Sequence, residues 1–194
     1  MPKKFGLILI MDKTVQRQHS SVRGSFVRMS KLHVWVGLFF AIQIIAYDAG
    51  KLITPKAVLL RWVMTSIFVT AGVICWYLAR INDSITVIRN LAWFLITVDI
   101  LAASFSVYSQ RGMASRAVFL FALPILVAAC LHRWGMIQLT AVLSVVAYIV
   151  TAVAYFVLNF NEGYKIELYG EIGFYSALIL AFASMVWALV RSKH

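Results

Sequence analysis

The sequence predicts an all-α, polytopic membrane protein: a bundle of six transmembrane helices with both termini in the cytoplasm. Three observations carry that expectation. The 194-residue chain is 62% hydrophobic and only 13% charged, whereas soluble domains are roughly half apolar and a quarter charged. Its apolar residues fall in blocks long enough to cross a bilayer, which takes about 20 residues of helix. Lys and Arg are unevenly shared between the ends of those blocks, twelve on one side against six on the other. That is the bias that orients membrane proteins, with the richer side cytoplasmic. A soluble protein of six buried helices would need polar outer faces, and these blocks have none.

Residues 1–30 read as a basic tail, with Lys3, Lys4, Lys13, Arg17, Arg23 and Arg28 around the apolar stretch "FGLILIM". Such a tail suits the interface of an anionic inner leaflet. It also accounts for much of the +11 net charge, so no nucleic-acid partner is expected. "FGLILIM" is too short for a cleaved signal peptide and runs into Asp12-Lys13 instead of a small-residue site. Residues 31–194 form the transmembrane domain. Its spans are Leu32–Ala49, Ala57–Ala79, Ile88–Tyr108, Met113–Leu131, Met136–Phe160 and Ile172–Val190. The location that follows is the plasma membrane, multi-pass.

Between the first two spans, Thr54 is placed to cap the second helix, with Pro55 at its first position. Pro124 falls inside the fourth span and predicts a kink there. The longest outer loop, residues 159–171, is too small for a folded receptor domain. Tyr47, Trp62, Tyr108, Tyr155, Tyr164, Tyr169 and Tyr175 gather towards the outer face, and Trp35, Trp76, Trp134 and Trp187 towards the inner one. Both sets read as interfacial belts.

One residue breaks the apolar pattern at depth. Asp99 lies near the middle of "FLITVDILAASFSVY", where a carboxylate costs about 2.5 to 3.5 kcal/mol on insertion scales. It needs a partner, a wet cavity or a bound proton. Ala92, Asp99, Ala102, Ala103, Ser106 and Gln110 share one helical face, and a small, polar stripe belongs against other helices. The fifth span offers a matching line of hydroxyls, Thr140, Ser144, Tyr148, Thr151 and Tyr155, within about 80° of one another. Asp99 and Tyr148 lie about 14 and 18 Å below the outer ends of their spans. The carboxyl is therefore expected to meet Ser144 or Tyr148. Together with Ser106, this seam is the candidate ligand-binding site, with stitching of helices as the bland alternative. On the sixth span, Gly173, Ala177, Ala181, Ser184 and Ala188 form a small-residue stripe that permits close helix approach within this bundle or to another protein, internal packing being the expected use.

Other chemistries are not indicated. Cys75 and Cys130 are 55 positions apart, with no Cys-x-x-Cys. His33 and His132, both read as lying at inner helix ends, are weak grounds for a haem. No nucleophile elbow, zinc motif or Walker loop is present. No enzymatic activity, metal or cofactor is expected. Asn82-Asp83-Ser84 matches a glycosylation sequon but falls on the inner side, and is read as chance.

Residues 97–137, "TVDILAASFSVYSQRGMASRAVFLFALPILVAACLHRWGMI", resemble the central part of the six-span sensor regions at the N-terminus of bacterial membrane histidine kinases. The features in common are Asp99 in the third span, the short loop Ser109 to Arg116, and Leu123-Pro124 in the fourth span. The quinone-sensing members carry Gly-Gly-x-x-Asn-Pro-Phe in that loop. Here only Gly112 matches, while Arg111, Ser115, Arg116 and Ala117 take the other specified places, so no quinone site is implied. Neither a phosphoacceptor helix nor an ATP-binding domain is present. The resemblance implies a sensor-like or anchoring module, active through a protein partner or as a homo-oligomer. The alternatives are a small-molecule-binding subunit of a membrane transporter, similar to those of energy-coupling vitamin transporters, and a structural subunit of a membrane complex.

Overall fold

The structure, a computed structural model, describes the backbone over residues 3–110, 115–159 and 166–192, and the side chains over 20–110, 115–159 and 169–192. Most of the basic tail's side chains, Gly112 and its loop neighbours, and residues 160–165 with Tyr164 among them lie outside the described residues, whereas the later half of the expected 159–171 loop, from Ile166, is already helix. Elsewhere the chain is helical, with no strand among the described residues. In order come α1 (Lys3–Ala49), α2 (Pro55–Ile81), α3 (Ile85–Ser109), a 3₁₀ helix (Arg116–Phe121), α4 (Ala122–Ala129), α5 (Trp134–Leu158) and α6 (Ile166–Arg191). Among the described residues, five helices are long and apolar enough to cross a membrane. The molecule is a multi-pass helical membrane protein.

α1 is one uninterrupted helix of 47 residues, about 70 Å long. No proline breaks it, and it passes straight through the expected boundary at residue 31. Phe26, Met29 and Ser30, placed in the tail by the sequence, are buried in the bundle. The membrane-length part of α1 begins at Ser20, not Leu32. α1 ends where Lys51 takes a left-handed conformation (φ 52°) and Leu52 N–H reaches back to the Tyr47 carbonyl. That 6→1 bond satisfies a carbonyl that the helix end would otherwise leave open. α2 then starts as expected: the Thr54 hydroxyl accepts from Ala57 N–H at 3.3 Å, and Pro55 takes the first position.

α1 and α2 pack closely because glycines lie at their crossing. A Cβ on Gly72 would come within 2.8 Å of the His33 ring and 3.1 Å of Val34, and one on Gly37 would collide with Val69. At one end of this pair, Arg23 donates to the carbonyls of Ala79 (3.0 Å) and Arg80 and pairs with Asp83. A cation is thereby held at the carbonyl end of α2, where the helix dipole favours it. Asn82 donates to Leu78 O at 3.0 Å. The Asn-Asp-Ser stretch is thus a built turn between α2 and α3.

The fourth apolar block departs from the expected kinked helix. It is a six-residue 3₁₀ helix followed by an eight-residue α-helix, and the change falls just before Pro124, whose missing N–H falls within the first turn of α4. At about 2.0 and 1.5 Å rise per residue the two pieces cover roughly 24 Å. This irregular element packs against α3, α5 and α6, and Val118, Phe121, Ile125, Val127 and Ala128 are almost wholly buried. Non-α backbone at membrane depth is tolerated where protein surrounds it.

Candidate functional site

Asp99 sits on the most enclosed of the long helices and points inward, as the small-residue stripe predicts. Ala92, Asp99 and Ala103 are buried, Ala102 and Ser106 are half-buried, and Gln110 is exposed. Its partner is not the expected one. The imidazole of His33 on α1 lies against it, Nδ1 to Oδ1 at 3.2 Å, with both side chains fully buried. No hydrogen bond joins Asp99 to Ser144 or Tyr148. The hydroxyl expectation is corrected to a histidine–carboxylate pair between α1 and α3.

His33 reads as an interfacial residue in the sequence because Arg23, Arg28 and Lys31 make the span seem to begin at Leu32. With the membrane-length segment starting at Ser20, His33 lies thirteen residues inside it, about 20 Å along the helix. Asp99 lies fourteen residues into α3, about 21 Å from the same end. The two depths agree. The bases below them are accommodated: Arg23 caps α2, and Lys31 lies over the Trp76 ring, 5.5 Å from its centroid.

α2 fixes the imidazole. His33 stacks on Phe68 with centroids 3.7 Å apart and planes 19° apart, and Gly72 leaves room for the ring edge. The Nδ1–Oδ1 separation is that of an ion pair, but no N–H axis is aligned well enough for a directed hydrogen bond; the Phe68 backbone lies close to the imidazole without completing one, and Asp99 Oδ2 has no partner among the described residues. Charge and proton count therefore govern the pair more than bond direction. It is neutral overall either as imidazole with carboxylic acid or as imidazolium with carboxylate, two forms holding the same number of protons. Gain or loss of one proton leaves a net charge in a buried, low-dielectric setting.

The fifth-span hydroxyls divide in two. Thr140, Ser144 and Tyr148 on α5 are fully buried, and their oxygens have no hydrogen-bond partner. The Tyr148 ring meets Phe121 and Tyr175 edge to face, at 6.2 and 6.0 Å. Thr151 donates to Ala147 O on its own helix at 2.7 Å, and Tyr155 meets the Tyr108 ring at 5.6 Å. Ser106 likewise donates to Ala102 O at 2.8 Å. The seam therefore faces inward at its three deeper positions, without joining Asp99 through a hydrogen bond.

The α6 stripe is also corrected. Gly173, Ala177, Ala181, Ser184 and Ala188 are all exposed, and the bundle is met instead by Ile179, Ala183 and Val186. No group of three or more metal-ligating side chains occurs among the described residues. Fold and site together define a multi-pass helical membrane protein with an acid–base pair buried between α1 and α3. No protein-family model, curated protein or solved structure matches the chain.

Proposed function

We propose that the chain is a non-catalytic, sensor-like membrane module that crosses the bilayer six times, keeps both termini in the cytoplasm and acts through a protein partner. The observation that carries this reading is the buried pair of His33 and Asp99. Packing alone does not call for it, since well-packed apolar residues in place of a buried ion pair are often neutral or stabilising. Ionisable groups at membrane depth mark function by default. A change in the pair's proton count or surroundings would alter the force between α1 and α3, and α1 continues as helix well beyond the bundle towards residue 3. The basic tail, held at an anionic leaflet, would be the output segment.

The roughly 24 Å covered by the 3₁₀ helix and α4 supports a sixth crossing, because short flanking segments can make up the remainder of a hydrocarbon core of about 30 Å. The exposed small-residue face of α6 supports a protein partner or a second copy, since small side chains let helices approach closely within a membrane. That face also suits a transporter subunit or a structural subunit. Copurification in mild detergent separates the three. A response regulator supports sensing, an ATPase pair supports transport, and a fixed stoichiometric complex supports a structural role.

Spin labels at Ser21 and Thr86, both exposed, test the coupling of α1 to α3 in lipid nanodiscs. The expected result is a distance distribution that changes in Asp99→Asn and His33→Gln. An unchanged distribution in both folded variants would assign the pair to packing and overturn the sensing role.

A further inference from the structure

Two to three turns further from the α2–α3 turn than the His33–Asp99 pair, the same three helices part around a half-open pocket of about 70 Å³. Phe40 and Gln43 of α1, Arg61 of α2, Ser106 and Ser109 of α3, and Gln110 just beyond its end line it. Arg61 forms no ion pair among the described residues. Its guanidinium lies over the Tyr47 ring, 5.6 Å from the centroid, an arrangement that occupies the face of the group and leaves N–H donors along its edge.

The other polar groups sort by what they still have to offer. Gln43 Nε2 donates to the Tyr47 hydroxyl at 3.0 Å, which steadies the amide and leaves its second N–H free. Gln110 accepts from Ser115 through Oε1 at 3.4 Å, and its amide N–H groups have no partner among the described residues. Ser106 and Ser109 spend their hydroxyl protons on the carbonyls of Ala102 and Ser106. The pocket thus offers a fixed cation and amide donors, with no anion among its described lining residues to match them.

We propose that this pocket binds a phosphate oxyanion, borne by a lipid head group or by free phosphate. A guanidinium edge fits phosphate oxygens in pairs. Size excludes larger ligands, since drug-sized molecules need pockets of about 300 to 1,000 Å³. Depth suits a head group. The 27 residues of α2 make it about 40 Å long, close to the full bilayer with its head groups. Arg61 lies six residues in, about 9 Å from the helix start and near the inner edge of the head-group layer. The site is independent of the sensing role and stands if that role fails.

The test uses the full chain, purified and delipidated in a neutral detergent. One arm titrates inorganic phosphate and follows the melting temperature. The other offers phosphatidylglycerol or a neutral glycolipid without phosphate and counts retained lipid by native mass spectrometry. A phosphate response alone identifies the free anion, and preferential retention of phosphatidylglycerol identifies the head group; either supports the site. Arg61→Gln should weaken the binding seen by about tenfold or more, the usual weight of a charge-assisted contact, with Arg61→Lys between. Wild-type protein that shows neither response, or folded Arg61→Gln that binds like wild type, would overturn the proposal. Should Arg61→Gln fail to fold, Gln110→Leu at an exposed position takes its place, and unchanged binding there overturns the proposal equally.

Discussion

His33 can lie flat on Phe68 because position 72 has no side chain. A methyl group there would sit 2.8 Å from the imidazole Cδ2, and the ring, stacked on one face and held by Asp99 at its edge, has little room to retreat. Gly72→Ala is therefore expected to be overpacked, destabilising the protein by about 1 to 3 kcal/mol. The measurement is the apparent melting temperature in detergent, with Gly135→Ala as control, because nothing lies within 4 Å of a Cβ at that position. An equal melting temperature for both variants would show that the crossing of α1 and α2 is looser than described. Residue-scale chemistry at this site is thus a matter of shape as much as of charge.

At the scale of elements, one arginine closes the first helix pair. Arg23 satisfies the carbonyls of Ala79 and Arg80 and pairs with Asp83. The ion pair is largely solvent-exposed on the aspartate side, so its direct worth is small. The carbonyl contacts carry more, because two acceptors at a helix end would otherwise depend on water. Arg23→Leu should accordingly lower the melting temperature more than Asp83→Asn does. The reverse order would assign the clamp to the ion pair. The 3₁₀–α4 element shows the complementary principle: a poorly formed helix is acceptable where α3, α5 and α6 shield its backbone from lipid.

For the whole molecule, the orientation can be read by chemistry. In a background with Cys75 and Cys130 replaced, single cysteines at Lys51 and at Ser192, both exposed, should react with an impermeant reagent from opposite sides of the membrane, Lys51 in intact cells and Ser192 only after the cells are permeabilised. Reaction of both from the same side would refute six crossings with cytoplasmic termini. Within the bundle, α6 is the least enclosed of the long helices, and its small-residue face looks away from the other helices. The surface that a partner would meet is therefore part of the architecture.

Much of the architecture was legible in the sequence, because spanning length and hydropathy are local properties. Runs such as Ala57–Ala79 and Met136–Phe160 announce helices wherever they fold, and Thr54-Pro55 announces a helix start. The inward face of Asp99 was legible too, from the spacing of Ala92 and Ala103 around it. Its partner was not. Basic residues at 23, 28 and 31 moved the apparent membrane edge inward and left His33 at that edge, since a sequence cannot show that Arg23 would be consumed by a helix end 56 positions away. Nor can a stripe of small residues declare which way it faces: the α6 stripe packs poorly against its own bundle because Ile179, Ala183 and Val186 fill that side instead. Periodicity is written along one helix, whereas partners and facing directions depend on how several helices share a limited interior. That sharing is decided only when they pack.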